Sequence, residues 1–119
     1  MQNKQTTILY RPVNKAELDL IEQSGWQKFP PRLPEQPIFY PVMNEAYAIQ
    51  ITREWNVPAY GTGYVTRFAV DTGYLQQFKV ENVGAEMHNE LWIPADALEA
   101  FNAHIIGLIE CTHTFTEND

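Results

Sequence analysis

The sequence predicts an α+β domain, on three observations. Strand and helix patterns alternate only at the start, as strand, helix, strand, helix, and then give way mostly to strands. A doubly wound parallel sheet would keep alternating to the end. The 119 residues fit one domain. Apolar residues at 45 % and aromatic ones at 13 % suffice for a core, and charged residues at 19 % are too few for a disordered chain.

The elements follow in order. Thr7-Ile8-Leu9-Tyr10-Arg11 is β-rich, and Pro12 predicts its end. Asn14 followed three residues later by Glu17 has the spacing of a capping box. Leu18 and Ile21 then give a short helix, stopped at Ser24-Gly25. Five of the eight prolines lie between Phe29 and Pro41, which predicts an extended, rigid surface loop. A second strand is predicted over Ile38-Phe39-Tyr40-Pro41-Val42. Asn44 caps a second helix with Tyr47, Ala48, Ile51 and Trp55 on one apolar face, ended by Asn56-Val57-Pro58. Gly63 to Asp71 alternates as a strand, with Tyr64, Thr66, Phe68 and Val70 on one side. A turn at Asp71-Thr72-Gly73 leads to a strand around Gln77 to Val83. Glu90 to Ile93 is a short strand, Ala95 to Asn102 a helix with Leu98 and Phe101 inward, and Ile105 to Phe115 a closing strand. Residues 1–6 and 116–119 are expected to be tails. The three tryptophans are expected in the core, and Cys111 in a buried strand position.

Several function classes are excluded. No apolar run approaches the roughly 18 residues that span a bilayer. The first residues lack the apolar stretch of a secretory signal, and one cysteine forms no internal disulfide, so a cytoplasmic protein is expected. Residues 1–79 carry a net charge of +1, and the last forty, with eight acids and no Lys or Arg, carry −8. Nucleic-acid binding needs Lys and Arg against phosphates, so no DNA or RNA partner is expected. No repeat, phosphate-binding glycine loop or serine-nucleophile motif is present. His88, His104, His113 and Cys111 lack metal-ligand spacing, so no metal is expected.

Three polar or aromatic groups remain at strand ends: Arg11, Phe39-Tyr40 and Glu90. The order Leu9-Tyr10-Arg11, then Ile38-Phe39-Tyr40 followed by Asn44-Glu45-Ala46-Tyr47-Ala48, then Glu90-Leu91-Trp92-Ile93-Pro94 resembles the ADP-ribosyltransferase fold. More closely, from Leu9 to Glu110 the chain resembles small bacterial proteins labelled "ADP-ribosylation/crystallin", through its Leu-Tyr-Arg-Pro, Phe-Pro-Pro-Arg-Leu-Pro and Glu-Leu-Trp-Ile-Pro stretches. The resemblance implies a single domain with a split antiparallel or mixed sheet and short flanking helices. It also implies NAD as a small-molecule dinucleotide substrate, with cleavage of the nicotinamide–ribose bond and transfer to an unspecified acceptor or to water. Arg11 would then bind ribose or phosphate with its forked donors. Tyr40 would stack on nicotinamide, and Phe39 would share that role or face the core. Glu90 would stabilise the developing charge at the ribose carbon.

The second-strand motif reads Phe39-Tyr40-Pro41-Val42 rather than Ser-Thr-Ser, and His88 stands where an acidic or amide residue usually precedes the late-strand glutamate. The alternative is a non-catalytic nucleotide- or protein-binding module on the same fold. Pro31-Arg32-Leu33-Pro34 is either a polyproline ligand for a partner or a rigid wall beside the cleft, with Arg32 as a second phosphate contact.

Overall fold

The computed structural model describes residues 5–84 and 88–118. The elements are β1 (Thr6–Val13), α1 (Lys15–Gln23), β2 (Ile38–Phe39) and α2 (Glu45–Ile51), which continues through a π-helical turn (Thr52–Asn56) into α3 (Val57–Tyr60). They continue with β3 (Thr62–Asp71), α4 (Thr72–Leu75), β4 (Val80–Asn82), β5 (Asn89–Leu91) and β6 (Ile93–Pro94). A 3-10 turn (Ala95–Ala97) then leads into α5 (Leu98–Ala103) and β7 (Ile105–Thr116). The result is an α+β domain with one three-stranded sheet and two strand pairs.

The alternating stretch predicted at Gly63 becomes the central strand β3, with β1 and β7 antiparallel on either side. Its two faces serve two apolar clusters. Phe68 and Val70 join Leu9, Val13 and Ile21 on the side of α1, where four phenylalanines interlock. Val65 joins Val42 and Ala48 on the side of α2. Because successive strand residues point to opposite faces, both sets of the predicted alternation are used.

β1 runs through Pro12 instead of stopping there. Tyr10 exchanges both backbone bonds with Val42, at 2.9 and 2.7 Å, so the even-numbered residues turn their backbone groups away from β3. The missing N–H of Pro12 therefore falls on that outer side, where a proline removes no bond of the β1–β3 ladder.

The predicted strand 38–42 is broken into β2, which pairs with β6, and a single bridged residue, Val42. Val42 bridges both Tyr10 and Glu90, so it stitches the β4–β5 pair to β1. The strand predicted over Glu90 to Ile93 is broken at Trp92 for the same reason, since each side pairs with a different part of 38–42. Asp71-Thr72-Gly73 opens the short helix α4, capped by the Asp71 carboxylate on the Gly73 N–H, and the strand expected at 77–83 is reduced to Val80–Asn82, with Val83 N still donating to His88 O at 3.1 Å.

Pro58 does not end the second helix. It has no N–H for the Glu54 carbonyl, and its ring would clash with that oxygen in an α-helix. The chain widens instead, with the Val57 N–H reaching Thr52 O five residues back, and ends at Gly61 with φ 82°. The inserted residue of the π turn rotates Trp55 off the apolar face, leaving it 70 % exposed.

The π turn lies against β3 at Gly63, where an added Cβ would be 2.5 Å from Thr52 Cγ2. Gly63→Ala is expected to cost about 1–3 kcal/mol by overpacking. Adding Thr52→Ser, which deletes the obstructing methyl, is expected to recover part of that loss in urea unfolding.

The proline loop is extended as predicted, and it is pinned at Phe29. The Asn102 side chain accepts from Phe29 N at 2.9 Å and donates to Phe29 O at 3.0 Å. Trp26 is half-buried in this connection, and its carbonyl accepts from Ile109 N on the outer edge of β7 at 2.7 Å. Trp92 is 45 % exposed, so of the three tryptophans only Trp26 packs against the core, and it does so partly buried. Cys111 is exposed because β7 is an edge strand along which Ile109 is the buried side chain. The expected tails are shorter than predicted: Thr6 and Thr116 lie in strands, while residues 1–4 and 119 fall outside the described part. Among the described residues, no helix is long and apolar enough to cross a membrane.

Candidate functional site

The break between β2 and Val42 leaves a hollow of about 480 Å³ beside β1. That size falls within the range of small-molecule sites. Tyr40, Glu90 and Trp92 line it together with Arg11, and Val42, Ile51 and Pro12 supply apolar wall. Residues widely separated along the chain thus meet at one place. A larger hollow of about 610 Å³ opens between α1, the proline loop and α5. It collects none of the predicted site residues, so the smaller one is the site of interest.

The strand alternation explains who faces whom. Phe39 and Ile93 are paired and fully buried, so Tyr40 and Trp92, one step along each chain, turn outward. Their rings meet edge to face, with centroids 6.4 Å apart. Two residues before Trp92, Glu90 projects to the same face. It is only 8 % exposed, and both its oxygens are held. Oε1 accepts from the Trp92 indole Nε1 at 2.6 Å, and Oε2 accepts from the Tyr47 hydroxyl at 3.1 Å.

Asn44 caps α2 by accepting from the Tyr47 N–H, and this first turn aims Tyr47 at the sheet. The His88 ring stacks on Tyr47 at 4.3 Å, and its Nε2 lies 3.0 Å from Gln50 Oε1. Burial first, then the charge and hydrogen bond of Glu90, push the Tyr47 phenol up to about 12. A raised value means that the folded protein holds this proton longer than the unfolded chain does, whose phenol titrates near 10. The contribution is complete below about pH 10 and is lost as pH rises towards 12. Tyr47→Phe is expected to abolish that loss, measured as the difference between the two proteins' unfolding curves above about pH 9.

Arg11 lines the hollow, but its guanidinium turns the other way. Nε and Nη2 donate to the two Glu17 oxygens at 2.7 and 3.0 Å, and the group lies 4.6 Å over the Phe39 ring. Glu17 therefore joins Arg11 instead of completing the predicted capping box, although Asn14 still accepts from Glu17 N at 2.9 Å. Thr66 fixes the strand here, donating from its hydroxyl to Arg11 O at 2.8 Å. Phe39, expected either to stack on a ligand or to face the core, faces the core at 0 % exposure.

Arg32 is half-buried on the proline loop. Burial lowers its proton affinity and the nearby positive charge of Arg11 lowers it further, while Glu17 and Tyr40 act in the opposite sense.

The structure thus brings Tyr40 and Glu90 together, places Arg11 at their margin and puts Phe39 beneath it, while Arg32, expected as a second phosphate contact, is not among the residues that line the hollow. Three participants escaped the sequence reading. Trp92 was detectable, because a residue two positions from Glu90 shares its strand face. Tyr47 and Glu17 were visible only as a helix-face residue and a capping partner, and neither pattern reveals the tertiary bond. Among the described residues, no group of three or more His, Cys, Asp or Glu is placed to hold a metal ion. No family model matches the chain, and neither the curated proteins nor the solved structures give a match.

Proposed function

We propose that the hollow binds the ribosyl–nicotinamide end of NAD and that Glu90 assists cleavage of the bond between them, with transfer of the ADP-ribosyl group to water or to an acceptor. The observation that carries this reading is the meeting of Tyr40, Glu90 and Trp92 around one cavity, with Arg11 at its edge. With it goes an ADP-ribosyltransferase-like view of the split sheet, in which the first strand, the second strand and a late strand contribute Arg11, Tyr40 and Glu90. A cytoplasmic location belongs to the same reading.

The chemistry suits the residues. As the ribose C1′–N bond breaks, both electrons leave with the pyridinium nitrogen, so nicotinamide departs neutral and C1′ becomes positive. A carboxylate nearly free of water, as Glu90 is, is the electrostatic partner such a centre needs. Each Glu90 oxygen accepts one protein hydrogen bond and keeps a second lone-pair direction for a ribose hydroxyl. The edge-to-face pair Tyr40–Trp92 offers aromatic surface to the departing ring. Water or an acceptor then adds at C1′ and sheds its proton.

The alternative reading is a binding module without turnover. The occupied Arg11 fork favours it, because two of the five guanidinium donors are committed to Glu17. Thermal unfolding with NAD, ADP-ribose and nicotinamide tests both readings. NAD at about 100 times its dissociation constant is expected to add about 2.7 kcal/mol, and Trp92→Ala to remove the effect. No stabilisation by any of the three contradicts NAD cleavage and a nucleotide-binding module alike, and leaves the alternative only as a protein-binding module. Stabilisation without nicotinamide release selects the binding module.

A further inference from the structure

We propose that Asn56 reads the carboxamide of the ligand in the hollow, so that the site takes an amide-bearing pyridinium and rejects the corresponding acid. The inference rests on the nicotinamide reading above and names the residue within it that sets specificity.

The π turn delivers this residue. Asn56-Val57-Pro58 reads in the sequence only as the end of a helix. In the fold, the turn that carries Trp55 outward ends at Asn56, and Asn56 lines the hollow together with Ile51, the last residue of α2. π turns are rare and are frequent at functional sites. This one is packed in place. The Thr52 hydroxyl donates to Ala48 O at 2.8 Å, and a Cβ added at Gly63 of β3 would stand 3.2 Å from Asn56 Cβ.

The second support is the polar inventory of the lining. Arg11 gives Nε and Nη2 to Glu17, the Trp92 indole N–H goes to Glu90, and each Glu90 oxygen already accepts one bond. Among the described residues, the half-buried Asn56 side chain has no hydrogen-bond partner. Neither of its polar atoms is sealed from solvent, so a ligand can reach both. The Tyr40 hydroxyl is unbonded too, but only the amide holds a donor and an acceptor side by side in one plane. A primary carboxamide presents the same two groups in the opposite order.

Charge is the third support. Glu90 is buried and, among the described residues, has no ion-pair partner, while the charge of Arg11 is met by Glu17. A buried carboxylate without a cation favours a positive ligand, and the faces of Tyr40 and Trp92 attract one as well. A carboxylate on the ring would be repelled by Glu90 and would bring no N–H to the Asn56 carbonyl.

The test is calorimetric titration with nicotinamide riboside, nicotinic acid riboside and pyridine riboside, which lacks the carboxamide, on wild type, Asn56→Ala and Asn56→Leu. Wild type is expected to bind nicotinamide riboside at least about tenfold tighter than either analogue, the scale of a hydrogen-bonding group left without its partner. Both substitutions should erase the advantage over pyridine riboside and leave pyridine riboside affinity unchanged. The comparison of ligands on wild type stands even where a variant fails to fold. Equal binding of the nicotinamide and pyridine ribosides, or an advantage that survives both substitutions, overturns the role of Asn56 and leaves the NAD reading standing. Nicotinic acid riboside bound as tightly as nicotinamide riboside does the same, as does an equal weakening of all three ligands together with a lowered melting temperature in the variants. No binding of any riboside overturns the role of Asn56 and the NAD reading together.

Discussion

Replacing Phe39 by alanine is expected to remove about 3–5 kcal/mol of stability, a large part of the roughly 5–15 kcal/mol typical of a domain. The ring is fully buried, with centroids 5.0 Å from Phe29 and 5.4 Å from Phe101, and it carries the Arg11 guanidinium on one side. β2 is two residues long, so backbone pairing alone cannot hold it in place. Truncation would leave a cavity below Arg11 and free the segment that carries Tyr40 and Val42. Tyr40→Ala, one residue on but 41 % exposed, is expected to cost less than about 1 kcal/mol. Urea unfolding of the two variants side by side checks the assignment of facing. Similar losses would contradict it.

Glu90→Gln is expected to lower nicotinamide release from NAD by about 10²–10³-fold, the scale on which loss of one well-placed electrostatic group is felt. Affinity for NAD should change little, because the amide keeps an acceptor and its NH₂ can face the Tyr47 hydroxyl once that proton rotates. Trp92→Phe separates the ring from its hydrogen bond. It keeps an aromatic surface but deprives Glu90 Oε1 of its donor, so its effect on release should be smaller. Release that is equal in wild type and Glu90→Gln contradicts the catalytic role and leaves binding intact.

Local signals were legible where one segment decided them. The caps at Asn14 and Asn44, the alternation of β3, and the inward Leu98 and Phe101 all follow from residues within a turn or strand of each other. Continuity was not legible, because it depends on which partner each residue meets. Ile38–Val42 reads as one strand, yet Phe39 pairs with Ile93 while Val42 serves Tyr10 and Glu90, so the ladder breaks between them. Pro12 reads as a stop, but its missing donor falls on the side away from β3. At Trp55, an α-helical period fails because the chain passes through a π turn ahead of Pro58.

The candidate site divides in the same way. Glu90 was a candidate by type and place, and its neighbour Trp92 follows from a period of two. Arg11 reached the hollow's edge, but its pairing with Glu17, six residues on, depends on how α1 turns back along β1, which neither the strand pattern nor the capping pattern encodes.

The proposed function stands or falls with NAD binding in the hollow around Glu90. The three indole N–H resonances report on it directly, because Trp92 donates to Glu90 while Trp26 and Trp55 lie outside the lining of this hollow. In a ¹⁵N-correlated titration with NAD, the Trp92 indole signal is predicted to shift saturably, with Trp26 and Trp55 unmoved. A Trp92 indole that stays in place at millimolar NAD, or a shift confined to Trp26 or Trp55, would contradict the claim.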